Sequence, residues 1–81
     1  MNFWKNCEEL ISFIEIELGI ESGSISERTH FRSISVWSSI NALYLMTRIS
    51  EESGLFLSSA ELASCETIED IYQNLVAKLD V

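Results

Sequence analysis

Basic residues are scarce in this chain: five Lys and Arg stand against 13 Asp and Glu, for a formal net charge of −8. Binding to nucleic acid draws its affinity from cationic contacts to phosphates, so this balance excludes a nucleic-acid partner and favours basic partner surfaces. Histidine occurs once and cysteine twice, with no Cys-x-x-Cys, which leaves no zinc pattern. No apolar run approaches the roughly 18 residues needed to span a bilayer. The opening MNFWKN lacks the apolar core and small-residue cleavage site of a secretory signal, so a cytoplasmic protein is expected, with Cys7 and Cys65 as reduced thiols. There is also no Gly-x-Ser-x-Gly elbow and no strand pattern to build one on. That removes a hydrolytic reading of Ser39 with His30, and a lone loop histidine between Arg28 and Arg32 is read as solvated.

What is present is a chain of 81 residues, 47% hydrophobic and 22% charged, too apolar for disorder and long enough for one domain spanning 1–81. At this size nearly every apolar stripe has to enter the core. The first stripe runs over Phe3 to Leu18, with Phe3, Trp4, Cys7, Leu10, Ile11, Ile14 and Leu18 at helical spacing. Lys5, Glu8, Glu9, Ser12 and Glu15 fall opposite, Phe13 lies on a flank and Ile16 lands among the polar positions. Asn2 is a candidate cap for this helix and Gly19 a candidate stop. The last stripe, Ile68, Ile71, Tyr72, Leu75, Val76 and Leu79, follows a Thr67 cap, with Glu69 and Asp70 at its positive end and Lys78 near its negative end. Between them, Leu55-Phe56-Leu57 reads as a connector, and Ser58-Ser59 before AELA as a short helical turn ended by SCET.

Residues 19–37 break the helical pattern: Gly19, Gly23 and SGSIS argue for a loop, with Ile20, Ile25, Phe31, Ile34 and Val36 as isolated apolar anchors. A loop this long in so small a domain needs a reason. The stretch that follows, WSSINALYLMTRISEESG from Trp37 to Gly54, is the one to which chemistry can be assigned. A helix beginning at either serine gathers Ala42, Leu45, Met46 and Ile49 on one side and Asn41, Tyr44, Arg48, Glu51 and Glu52 toward the other, and ends at Gly54. Its first turn carries unpaired N–H groups and about half a positive charge, which together favour a phosphate. Serines there are either plain caps or an attachment point for a phosphodiester.

The order of these features resembles the acyl carrier protein family, whose motif is Asp-Ser-Leu followed by an amphipathic helix ending in an apolar residue and glycine. Here the matching positions read Ser38-Ser39-Ile40, then NALYLMTRISEES, then Gly54, and Trp37 stands two places before Ser39. Ser39 aligns with the serine that accepts 4′-phosphopantetheine; Ser38 stands where Asp is usual. The resemblance implies an all-α, acyl-carrier-protein-like bundle of three to four helices with a long loop between the first two, and gives Phe31 the role of the apolar anchor before the modified serine. It implies a non-enzymatic carrier, loaded from coenzyme A by a phosphopantetheinyl transferase and read by acyl-transferring and synthase enzymes with basic surfaces. The reading face would be Ile40, Leu43, Tyr44 and Thr47, with Glu51 and Glu52 as its acidic part. This helix is less acidic than in primary fatty-acid carriers and includes Arg48, which implies a specialised acyl, polyketide or peptide pathway. The competing expectations are an acidic helical interaction module, with the serines as caps and Tyr44 and Ile16 at an interface, and a carrier fold without its modification. A monomer is expected.

Overall fold

Helix formation in this chain is decided at the caps. The structure, a computed structural model, describes residues 3–79. Within that range four α-helices follow one another: α1 Cys7–Leu18, α2 Ser39–Ser53, α3 Ser59–Ser64 and α4 Ile68–Leu79. No strand occurs among the described residues, only a single antiparallel bridge between His30 and Thr67. The domain is thus a small bundle, mostly helical, with α1 packed against both α2 and α4.

The periodicity of the first stripe predicts a helix from Phe3, but α1 starts at Cys7. Asn6, not Asn2, is the N-cap: its backbone is extended and its side chain accepts the Glu9 N–H at 2.9 Å. Asn2 itself lies outside the described residues. Phe3 and Trp4 still join the core, from a non-helical lead-in. Trp4 meets Phe13 at 4.9 Å between ring centroids, Phe3 stacks on Tyr72 at 5.8 Å, and the Tyr72 hydroxyl donates to the Trp4 carbonyl at 2.9 Å. These contacts tie the start of the chain to α4.

The core is a single cluster in which Leu10, Ile14, Phe31, Ile49, Ile68, Ile71 and Leu75 have no exposed surface. Ile16 falls outside it, 76% exposed, as its polar neighbours on the helical wheel require. Glu15 is the reverse case. The wheel assigns it to the polar side, yet only 4% of it is exposed, because its Oε2 accepts the backbone N–H groups of Gly23 at 2.9 Å and Ile25 at 3.5 Å. A carboxylate so bonded holds the start of the long loop against α1.

The remainder of that loop is fastened to the start of α4. The Phe31 N–H donates to the Glu66 carbonyl (3.2 Å), the Ile68 N–H to the Thr29 carbonyl (3.2 Å) and the Glu69 N–H to the Glu27 carbonyl (2.9 Å). Thr67 caps α4 through its Oγ1, which accepts the Asp70 N–H at 3.2 Å, while Asp70 accepts the Glu66 and Thr67 N–H groups at 2.9 and 3.1 Å. At the other junction Gly54 takes the left-handed conformation (φ 75°) that stops α2.

Carboxylates of the long loop, α4 and α1 converge near Cys7. Residues 1–18 carry −3 and residues 55–81 carry −4 of the net −8. The Cys7 thiol is pushed up to about 11 by burial first, and then by Glu27, Glu69 and Glu8, which converge on it from the loop and both helices. Like charges in contact range repel through water until salt screens them, over a Debye length that falls from about 30 Å at 0.01 M to about 8 Å at 0.15 M. The melting temperature followed by circular dichroism is therefore expected to rise over that salt range, and further with millimolar magnesium. A flat or falling midpoint would mean that the carboxylates at this junction do not repel appreciably.

Candidate functional site

The approach to α2 is built on Phe31. Its buried ring meets Trp37 at 5.0 Å between centroids, and the Trp37 N–H donates to the Ile34 carbonyl at 2.9 Å, which fixes the chain just before the two serines. The serines then diverge in role. Ser38 is the N-cap: its backbone is extended and its Oγ accepts the Asn41 N–H at 3.1 Å. Asn41 in turn donates from Nδ2 to the Val36 carbonyl at 2.6 Å. Ser39 is the first helical residue and is exposed, and its hydroxyl takes part in none of the side-chain hydrogen bonds among the described residues.

Ser39 opens onto a groove of about 600 Å³ between α2 and α3, within the usual range for ligand-sized cavities. Trp37, Ala42, Leu43, Met46 and Leu62 give it apolar walls, and Arg32 is the one charged side chain lining it. No acidic residue occupies the first turn of α2 either, so in a molecule of net charge −8 this corner is locally receptive to an anion. Arg32 lies over the Phe31 ring at 4.6 Å and donates to the carbonyls of Cys65 (2.7 Å) and Leu62 (2.9 Å) at the end of α3. A cation on those carbonyls completes the helix end and matches its dipole.

The far wall of the groove, α3, has only six residues, far below the length at which a helix is stable alone. Three polar devices hold it: Arg32 at its end, a capping box in which Ser58 and Glu61 each serve the other's backbone N–H, and an ion pair from Glu61 to Lys78 on α4. The Lys78 ammonium, with the Ser58 N–H, holds the Glu61 carboxyl down to about 2.

The expected recognition residues on α2 fall into two sets. Ile40 and Leu43 project freely, 79% and 63% exposed, and Thr47 is exposed with its Oγ1 donating to the Leu43 carbonyl of its own helix at 3.0 Å. Tyr44, Glu51 and Glu52 instead belong to a network centred on Arg48. Arg48 donates to Glu17 of α1 at 3.0 Å and to Glu51 at 2.7 Å, and reaches Glu52 at 3.8 Å. The Tyr44 hydroxyl donates to Glu17 at 2.9 Å. Arg48 is the main cause of the lowered Glu17 pKa, and Glu17 the main cause of the raised pKa values of Tyr44 and Arg48. This network links α2 to α1 and sets one guanidinium among three carboxylates.

Phe56, read from the sequence as part of a connector, is a further surface residue. It is 70% exposed between half-buried Leu55 and buried Leu57, an alternation that an extended segment with one face to the core produces. With Leu43 and Met46 it lines a second, smaller groove of about 270 Å³. His30 is exposed, and its backbone forms the bridge to Thr67. Cys7 and Cys65 are both buried free thiols. Among the described residues no group of three His, Cys, Asp or Glu is arranged to hold a metal ion, and no helix is long and apolar enough to cross a membrane.

No protein-family model matches the chain, and neither does any curated protein.

The Glu61 carboxyl supplies a test of how α3 is held. Its folded pKa lies below the ordinary value of 4.5, so its contribution is fully present above the unfolded pKa and is lost as pH falls toward about 2. In thermal melts between pH 6 and pH 2, Glu61→Gln is expected to have the lower midpoint at pH 6. The gap to the parent chain should narrow steadily below about pH 4.5. A gap independent of pH would mean that the ion pair and capping box do not hold α3.

Proposed function

We propose that the chain is an acyl carrier protein in which Ser39 bears 4′-phosphopantetheine, and that its bundle is of the acyl-carrier-protein type. What carries the reading is the division of labour between the serines: Ser38 is engaged in capping α2, and Ser39 keeps a free, exposed hydroxyl at the same helix start. The residues around it suit the group. The positive end of α2 and Arg32 favour a phosphodiester, and the apolar groove favours a chain extending from it. Asp is also a good capping residue, so Ser38 in its place preserves the cap and gives up one negative charge.

In this reading a separate phosphopantetheinyl transferase supplies the arm. The Ser39 oxygen forms a bond to the pantetheine-bearing phosphorus of the coenzyme A diphosphate, the P–O bond to the nucleotide phosphate breaks so that the nucleotide half leaves, and the hydroxyl proton passes to the transferase. When attached, the arm supplies a thiol that holds acyl, aminoacyl or polyketide groups as thioesters. The chain's own residues position the arm and present it to synthase and acyl-transferring enzymes. It acts as a cytoplasmic monomer and is not itself an enzyme. The mixed charge of α2, with Arg48 among its acids, favours a specialised biosynthetic pathway over primary fatty-acid synthesis.

Exposed Ile40, Leu43 and Phe56 also suit a plain interaction module in which Ser39 is never modified, and modification chemistry separates the two readings. With a promiscuous transferase and coenzyme A, intact mass should show one adduct and tandem mass spectrometry should locate it on Ser39. Ser39→Ala is expected to abolish the adduct with little change in stability. Ser38→Ala should keep it and lose about 1 kcal/mol of stability with the cap. An adduct on Ser38, or none under any transferase, sinks the assignment of Ser39 as the attachment residue.

Restoring the missing charge gives a second test. Ser38→Asp keeps a good cap and adds a negative charge beside the reacting hydroxyl, where a basic transferase surface would sit. Since charge complementarity acts mainly on association rate, modification is expected to be faster, most visibly at low salt. An unchanged or slower rate would mean that the transferase reads another feature.

A further inference from the structure

Two helices of this chain begin with the same serine cap and diverge three residues later. In α3 the cap Ser58 is followed by Glu61, whose carboxylate reaches back to accept the Ser58 N–H at 2.9 Å and closes a capping box. In α2 the matching position is Asn41. Its backbone N–H makes the cap bond to the Ser38 Oγ at 3.1 Å, but its side chain does not return to the Ser38 N–H. The amide passes the cap and donates from Nδ2 to the Val36 carbonyl at 2.6 Å. An ionised acid has no proton to give to a carbonyl, so this bond needs an amide.

That bond braces the turn that carries Ser39. Among the described residues it is the one hydrogen bond that Val36 makes, and Val36 is an exposed residue of an irregular segment. The next residue, Trp37, is fixed by its N–H on the Ile34 carbonyl and its ring on Phe31. Asn41 therefore joins the extended approach to the first turn of α2, and Ser39 lies between the two ends of the brace. Attack by a serine oxygen on phosphorus is sensitive to such placement, since a misplacement of about 1 Å can cost roughly 100-fold in rate. An acid at position 41 would serve the start of a helix at least as well as Asn does, and it would leave Val36 unheld. We propose that Asn41 is a positioning residue for modification at Ser39: its amide fixes the backbone on both sides of the serine and touches neither the hydroxyl nor the incoming group. The role in loading rests on the carrier reading; the brace itself does not.

Asn41→Ala and Asn41→Asp test it on the full chain. Both remove the donor and keep the cap, whose bond uses the backbone N–H of position 41. Ala gains helix propensity against the loss of one exposed hydrogen bond, and Asp gains from the helix dipole, so each melting midpoint is expected within about 3 °C of the parent or above it. With a promiscuous transferase and coenzyme A in 0.5 M sodium chloride, where the Debye length of roughly 4 Å screens the added charge of Asp, both variants should lower kcat for modification about tenfold or more with KM little changed. Amide relaxation of the unmodified chains should show order parameters at residues 36–39 falling from the rigid-backbone value of about 0.85, with the rest of α2 unaltered. If the parent is modified and the variants match its kcat, this inference falls and the carrier reading stands. A slowdown carried by KM, or one that tracks a falling midpoint, would make Asn41 a contact or stability residue and equally overturn it. Unaltered order parameters at 36–39 would remove the brace. A parent that no transferase modifies removes the attachment at Ser39, and the loading role of Asn41 with it, even where relaxation shows the brace intact.

Discussion

Burial of Phe31 is the constraint on which the arrangement of this domain depends. A loop of this length costs entropy to close, and only a fixed point in its middle makes the ends predictable. Phe31 is that point three times over. Its ring fills the core, its N–H pairs with the chain at the start of α4, and its faces receive Trp37 and the guanidinium of Arg32. The first contact orients the entrance to α2, and the second sets the end of α3. The two helices beside the groove at Ser39 are thus registered against one side chain, which shares the buried core with Leu45 and Ile49 of α2 and Leu62 of α3.

Electrostatics divides the molecule into zones. Carboxylates of the long loop, α4 and α1 converge near Cys7, while the corner around Ser39 has a helix N-terminus, Arg32 and no acid. Between them Arg48 gathers Glu17, Glu51 and Glu52 into one partly exposed network. Such pairs add little stability each. Their larger effect is to tie α2 to α1; the outer side of α2 carries the exposed aliphatic Ile40 and Leu43 together with Glu51, whose side chain stays 60% exposed.

Much of this was legible in the sequence, and the failures have physical causes. Helical stripes, the stops at Gly19 and Gly54, the short α3 and the Thr67 cap all depend on local rules, and four helices occur on those stripes; of the five apolar anchors read in the loop, Phe31 is fully buried and Val36 is exposed. The start of α1 did not follow, because Phe3 and Trp4 happen to continue the apolar period beyond Asn6, and a cap interrupts a helix whatever the period says. Glu15 could not be read as buried, since the N–H groups that satisfy it come from positions 23 and 25 of an irregular loop. The pairing of Arg48 with Glu51 and Glu52 follows from helical spacing, but Glu17 comes from another helix and was invisible. Phe56 was hidden by its company, because Leu-Phe-Leu reads as one apolar unit until an extended backbone splits it between two faces. For Ser39, the sequence left either serine as the start of α2; the structure assigns the cap to Ser38.

The tethers of α3 make it depend on the rest of the fold. A six-residue helix cannot nucleate by itself, and its partners are remote: Arg32 is separated from Leu62 by 30 positions and Lys78 from Glu61 by 17. Its far-reaching contacts require that the long loop and α4 be in place. The groove beside Ser39 therefore exists only where both remote tethers are made, which makes its far wall a report on completed packing. A chain still partly folded would expose the serine without the walls that surround it, and an enzyme that reads those walls would pass it by.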